Sequence, residues 1–382
     1  MKVRLGDYIA EYSVRNKANE DIPVYSVTNT QGFCQNYFGK EVASKDKSTY
    51  KIVPRGYFAY NPSRINVGSV DWQRNEDRVI VSPLYNVFSI SSRLKPQYLY
   101  YYLKSDAVLQ RIKAVAQGSV RDNLKLDMLA EFPIEIPSAD EQKKIIDTLD
   151  GVKKLFNLYS AELEKLDELV KARFVEMFGD PISNPMKWDI YQLEECLERI
   201  DNGKSFICSD KPRTGDNPAI LKLSAATYGD YRPNENKALL DESLFVESSE
   251  VHAGDLLFTR KNTPELVGMA AYVQNTPPKL MMPDLIFRLV PNEKVNAVFL
   301  WQLINCKEFR PVIQAISSGS AKSMSNISKE RLGKIKVICP PRELQDYLIP
   351  FVEQIDKSKV AVQKALDEAQ LLFDSLMQKY FG

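Results

Sequence analysis

Along residues 145–170, apolar side chains fall at Ile145, Leu149, Val152, Phe156, Tyr159, Leu163, Leu166 and Val170, a 4-3-4-3 spacing. That spacing lays one apolar seam along a helix and predicts coiled-coil pairing. A second seam runs through Leu344, Leu348, Phe351, Ile355, Ser358, Val362, Ala365, Ala369, Leu372 and Leu376. Its small middle residues are expected to accommodate the bulky Phe156 and Tyr159 on a partner helix. Pro137 and Pro340-Pro341 precede the two helices, where proline is tolerated, and Gly179 and Gly382 follow them, where glycine stops a helix. Ahead of each helix the pattern changes to short apolar runs punctuated by Gly, Pro and Asn. YKIVPRGYFAYNPSRINVGSV at 50–70 and VHAGDLLFTRKNTPELVGMAAYV at 251–273 read as strands joined by turns. A further helix is expected at 96–115 and again at 297–316.

These features recur at one offset. Tyr98-Leu99-Tyr100 answers Phe299-Leu300-Trp301, Gly118-Ser119 answers Gly319-Ser320, and Leu166-Asp167-Glu168 returns as Leu366-Asp367-Glu368. Pro137 and Gln142 answer Pro340 and Gln345, Gly56 answers Gly254, and Gly68 answers Gly268. Solenoid repeats have periods of about 20–50 residues, so a spacing near 200 reads as a duplicated domain. The expected fold is α+β: strand-rich domains at 1–139 and 181–342, each with a helix, and long helices at 140–180 and 343–382.

Charge adds a modest signal. The net charge is +1, but the two strand-rich blocks carry +5 and +2 and the two helical blocks −3 each, counted from the sequence. Five scattered cysteines and a single histidine, His252, argue for reduced thiols and against a zinc site or a site built on two imidazoles. The charged N-terminus does not read as a signal peptide, and no apolar run is long enough to span a bilayer.

Base edges are read by donors and acceptors on protruding loops, and phosphates are held by Lys, Arg, Ser and Asn. Asn61, Ser63, Arg64 and Asn66 offer this chemistry in a glycine-bounded loop, and Thr259, Arg260, Lys261 and Asn262 offer it in the second copy. Ser119 and Arg121, and Ser320 and Lys322, place a cation two residues beyond a Gly-Ser turn, with Asn123 close behind the first. The polar and aromatic stretch TNTQGFCQNYFG at 28–39, led by Thr28 and Asn29, is a further candidate, as are Lys222, Ser224 and Tyr228. Catalytic signals are missing: there is no phosphate-binding glycine loop, no Asn/Asp-Pro-Pro-aromatic run, and no carboxylate set beside Pro283-Asp284 with nuclease spacing.

With YNPSRINVGSV at 60–70, GSVRDNL at 118–124, FPIEIPSADEQKKI at 132–145 and Phe178-Gly179-Asp180-Pro181, the whole chain resembles the specificity subunit of type I restriction-modification systems. The resemblance implies two target-recognition domains, each reading half of a bipartite double-stranded DNA site. It also implies an antiparallel coiled coil that acts as spacer, with a pseudo-twofold axis; its seam includes Leu149, Phe156, Leu163, Val170, Leu348, Ile355, Val362 and Leu372. No cofactor is expected in this chain. Two modification subunits would supply S-adenosylmethionine chemistry, restriction subunits would supply ATP- and Mg-dependent cleavage, and the setting would be a bacterial or archaeal cytoplasm. The second copy departs from the first, with Thr259-Arg260-Lys261-Asn262 in place of Asn61-Pro62-Ser63-Arg64, as two domains reading different half-sites would. The rival readings are a structural coiled-coil adaptor that binds proteins through its globular ends, and a self-sufficient nuclease or methylase.

Overall fold

Strand register follows from which alternate side chains each sheet must bury, because successive residues of a strand face opposite sides. In Phe58–Tyr60 the outer two residues pack on one face and Ala59 on the other, and all three are fully buried. A computed structural model describes residues 1–35, 46–116, 123–318 and 324–382, and the chain divides into two compact units, Met1–Ala161 with Gln363–Gly382, and Glu162–Val362.

In the first unit, Ile9–Glu11, Asn86–Ile90, Phe58–Tyr60 and Val70–Trp72 form an antiparallel four-stranded sheet in that order. Phe58 sits opposite both Phe88 and Trp72. Phe58, Tyr60 and Phe88 pack on the helix Pro96–Lys104 through Tyr98, Leu99 and Tyr102. The opposite face, Ala59 and Val87, meets Val27, Phe33, Val53, Val79 and Val81. Those residues come from the hairpin Ser26–Thr28/Gly32–Cys34 and the strand pair Lys51–Pro54/Arg78–Val81. Fully buried Leu149, with Met377 and Phe381, closes the helical side.

The second unit repeats the scheme with other side chains. Leu197–Asn202, Ile286–Pro291, Leu256–Thr259 and Ala270–Tyr272 form a four-stranded sheet in the corresponding order, with Phe258 opposite Phe287. One face packs Leu256, Phe258 and Leu289 with Phe299, Leu300 and Leu303 of the helix Ala297–Asn305. Leu257 and Ala271 on the other face meet Ala219, Leu221, Leu280 and Met282. Ala219, Leu221 and Leu280 come from a three-stranded layer that includes one parallel pair, Ala219 opposite Leu280, and Met282 directly follows its last strand.

The long helix Ala139–Phe178 starts at a capping box, with the Ser138 N–H donating to Glu141 Oε2 at 3.0 Å and the Glu141 N–H to Ser138 Oγ at 3.2 Å. The other long helix runs Leu348–Phe381, after a separate short turn at Arg342–Asp346. Most seam positions face inward. Val170 and Ile355 are buried in the second unit, beside fully buried Leu348, while Phe156, Leu163 and Val362 are half-buried. Lys359 also pairs there with Asp167. Leu372 departs from the expectation at 48% exposed. Phe373 takes the inward position instead, 6.2 Å from the Phe156 ring and 6.3 Å from Tyr101. A helix of 3.6 residues per turn drifts out of a strict 3.5-residue repeat, which carries the inward face one position on. Among the described residues, no helix is long and apolar enough to cross a membrane.

Candidate nucleic-acid interface

In the first unit the turn after Tyr60 builds itself from its own polar groups. Asn61 Oδ1 accepts the Ser63 N–H at 3.2 Å and the Ser63 hydroxyl at 2.9 Å, and the Arg64 N–H donates to the Asn61 carbonyl at 3.0 Å. Ile65 is driven fully into the core beneath the turn. Gly68 closes it at φ +85°, a conformation that side-chain-bearing residues rarely adopt. Leu124 supports the turn from below: its N–H donates to the Pro62 carbonyl at 3.1 Å, and its own carbonyl accepts the Tyr60 hydroxyl at 3.1 Å. Ser63 and Arg64 are thereby left exposed and Asn66 half-exposed. The Arg64 side chain has no hydrogen-bond or ion-pair partner among the described residues. Asn123, next to the anchor, is half-buried, whereas Ser119 and Arg121 lie outside the described residues.

The hairpin at 26–34 stands beside this turn. Thr28 is buried, its hydroxyl oxygen accepting the Gln31 N–H at 3.1 Å, so the tip that reaches solvent is Asn29, Thr30 and Gln31. Residues 36–39 of the same polar stretch lie outside the described residues. Asp71, almost fully buried, accepts the N–H groups of Phe33 at 3.1 Å and Trp72 at 2.9 Å and pairs with Arg74 at 3.0 Å. Burial pushes the Asp71 carboxyl above its usual range, while Arg74 and the two amides pull the other way. A side chain at Gly32 would strike that carboxylate, at 2.0 Å from Oδ2. Lys104 Nζ donates to the Asn29 carbonyl at 2.9 Å, and a Cβ at Gly68 would meet Lys104 Cδ at 3.4 Å, so one lysine touches both loops. Burial lowers the Lys104 ammonium to about 8, against the opposing pull of Asp71.

The second unit links the corresponding loops by other contacts. Lys261 and Asn262 pair with Asn326 and Ser325, and the Ile327 N–H donates to the Arg260 carbonyl at 2.8 Å. The Arg260 guanidinium lies 4.9 Å from the Phe287 ring centroid and donates to Asn326 Oδ1 at 3.3 Å. Thr259 is fully buried, with its hydroxyl donating to the Met269 carbonyl at 3.1 Å. Buried Asn262 donates to Thr227 Oγ1 at 3.1 Å, tying this loop to the one at 227–232. Lys261 is half-buried and has no ion-pair partner among the described residues. Ser224 donates to Glu235 at 2.9 Å and Lys222 pairs with it at 3.5 Å, holding that carboxyl below its usual range. Ser320 and Lys322 lie outside the described residues.

Sequence patterns pass over several contributors here. Trp301 Nε1 donates to the Gly229 carbonyl at 2.7 Å, and Arg232 rests 4.7 Å from the exposed Tyr228 ring while donating to Asp230 at 2.7 Å. Lys104 and Asp71 carry no motif, and Trp301 is marked only by its place in the repeat opposite Tyr100. The available signal is the match between Val27-Thr28-Asn29-Thr30-Gln31-Gly32 and Ala226-Thr227-Tyr228-Gly229-Asp230, each an exposed tip that follows a buried threonine. Chemically, each unit presents amide, hydroxyl and cationic groups on loops fixed from beneath, the equipment for hydrogen bonding to bases and phosphates.

The domain described as the type I restriction modification DNA specificity domain matches residues 5–168. The EcoEI specificity subunit of Escherichia coli is 31% identical over 192 residues, which is 50% of this chain and 32% of that one. The EcoKI specificity subunit of Escherichia coli (strain K12) is 22% identical over 300 residues, 74% of this chain and 64% of that one. The chain therefore spans about a third of the length of the first relative and just under two thirds of the second. In fold it is similar to a chain solved in work on complex assembly and conformational transition of the type I R-M system, with a TM-score of 0.58 at 17% identity over 100% of this chain and 97% of that one. Residues 5–168 thus match a type I restriction modification DNA specificity domain, and the chain is similar in sequence to type I restriction enzyme specificity subunits and in fold to a chain of a type I R-M system.

Proposed function

We propose that this chain is the non-catalytic DNA-reading subunit of a type I modification or restriction complex, and that each recognition domain reads one half of a bipartite duplex site. The observation that carries this reading is the convergence, in each unit, of three polar segments. In the first unit these are the turn at 61–68, the hairpin tip at 29–31 and the anchor beside Asn123; in the second they are the loop at 260–263, the loop at 227–232 and the strand at 325–326. Exposed Arg64 and half-buried Lys261 are the cations set to meet phosphate, and Arg121 and Lys322, outside the described residues, are further candidates on the chemistry of their Gly-Ser segments alone. The recurrence of one strand order in both units supports a duplicated architecture. The inward-facing seams support pairing of the two long helices as an antiparallel coiled coil, which would set the gap between half-sites. Two modification subunits would bind S-adenosylmethionine and methylate adenines at the site, and restriction subunits would cleave with ATP and Mg.

Methylation mapping tests this reading. The chain is co-expressed with its neighbouring modification subunit, and modified adenines are located by single-molecule sequencing. The expected result is two short specific halves at a fixed gap. A soluble complex that leaves no motif, with DNA binding insensitive to salt, would favour a protein-binding adaptor instead.

A further inference from the structure

The two polar tips are gripped in the same manner. In the first unit the Lys104 ammonium holds the carbonyl of Asn29, and in the second the Trp301 indole N–H holds the carbonyl of Gly229. Both donors stand on the short helix that packs beneath the four-stranded sheet, Pro96–Lys104 and Ala297–Asn305. Tyr100, one turn before Lys104, corresponds to Trp301 in the repeat, and each ring rests on the last residue of the sheet's edge strand: Tyr100 on Trp72 at 5.5 Å and Trp301 on Tyr272 at 6.1 Å. A second contact locks each loop below the tip. The buried Asp71 carboxylate accepts the Phe33 N–H, and buried Asn262 donates to Thr227. In both units the grip closes on main chain, and the tip side chains stay in solvent: Asn29, Thr30 and Gln31 in one, Tyr228, Asp230 and Arg232 in the other.

We propose that Lys104 and Trp301 are paired positioning residues that fix the tips at 29–31 and 228–232 as the sequence-determining elements of the two halves. This rests on the DNA-reading function proposed above and adds which residues read and which residues aim them. A grip on a backbone carbonyl sets where a tip stands without constraining which side chains it bears. Asn and Gln amides suit the N6/N7 edge of adenine, and Arg suits the O6/N7 edge of guanine. The first tip is thus matched to adenine and the second, with Arg232 braced by Tyr228 and Asp230, to guanine.

The test is methylation mapping of the full chain, co-expressed with the modification subunit, in wild-type form and as Lys104→Met, Lys104→Arg and Trp301→Phe. Lys104→Met is expected to lower discrimination in one half of the motif at least tenfold and leave the other half sharp, and Lys104→Arg to restore most of it. Trp301→Phe, which keeps the ring and loses the N–H, is expected to blur the opposite half. An unchanged motif in both Lys104→Met and Trp301→Phe overturns the proposal, as does an equal loss in both halves, the mark of a general structural or phosphate role. Should Lys104→Met fail to fold, Asn29→Ala/Gln31→Ala at the exposed tip decides: a blurred half supports the proposal and an unaltered motif overturns it. Absence of any bipartite motif in the wild type would instead strike the DNA-reading function itself.

Discussion

Gln142 and Gln345, both fully buried, make the same three hydrogen bonds in their separate units. Gln142 donates to the carbonyls of Arg93 at 2.9 Å and Pro137 at 3.0 Å and accepts the Lys95 N–H at 2.8 Å. Gln345 donates to the carbonyls of Lys294 at 2.9 Å and Pro340 at 2.8 Å and accepts the Asn296 N–H at 2.9 Å. Each glutamine thereby fastens the start of a long or short helix to the residues that open the helix beneath the sheet. Replacement by leucine strands an N–H and two carbonyls away from water, at about 1–3 kcal/mol for each group left unsatisfied. Gln142→Leu and Gln345→Leu are each expected to lower the denaturation midpoint markedly in urea titrations. A midpoint within error of wild type would show that water replaces the amide.

Aromatic packing gives a second expectation. Phe178 is fully buried, with its ring 4.9 Å from Phe299 and 5.1 Å from Phe174. Phe178→Ala is expected to cost about 3–5 kcal/mol, the range for large core aromatics. The exposed Leu372→Ala should cost little, and Phe373→Ala, at the position that meets Phe156, should cost clearly more. A urea series over these three variants orders them, and equal losses at 372 and 373 would refute the assignment of the inward face.

The ammonium of Lys104 sets a pH signature. Its folded-state value is lowered to about 8 by burial, against opposing attraction from Asp71 and with added repulsion from Lys153. Below about 8 the lysine is charged both folded and unfolded. Between there and the ordinary lysine range the folded chain has released the proton and the unfolded chain retains it, so unfolding takes up a proton and stability rises with pH. Subtracting the pH profile of Lys104→Met from that of wild type should leave a positive slope across this window. A flat difference would contradict the burial that lowers the group.

Arg64 is exposed above a turn that its own side chain does not help to build. Arg64→Ala is therefore expected to leave thermal stability unchanged and to weaken DNA binding by about 1–3 kcal/mol if it meets a base, or to reduce the salt slope by about one if it meets a phosphate. Binding isotherms at several salt concentrations distinguish the two, and unaltered affinity and slope would remove Arg64 from the interface.

Much of this organisation is written locally. The capping box Ser138-Ala139-Asp140-Glu141, the matched left-handed turns at Gly68 and Gly268, and the shared spacing of Pro137 and Gln142 with Pro340 and Gln345 are short-range signals that survive in the folded chain. The heptad spacing located the long helices, and helical drift then moved the inward face from Leu372 to Phe373. Residue type alone does not separate buried from exposed polar candidates. Thr28, Thr259 and Asn262 have the same chemistry as their exposed neighbours, but strand alternation and turn bonding direct them inward. The grips at Lys104, Asp71 and Trp301 join residues far apart in sequence through main-chain groups, which no residue pattern encodes.

The first unit is discontinuous in sequence, since Met1–Ala161 is completed by Gln363–Gly382. Phe381 is buried there, 5.2 Å from Tyr98. During synthesis, residues 162–362 emerge as one continuous stretch, whereas Tyr98 and Tyr102 can meet Phe381 only once the segment at 363–382 has been made. The domain translated second is the one free to fold first. A message cut short beyond residue 362 would therefore yield a protein with one finished domain and one left ajar.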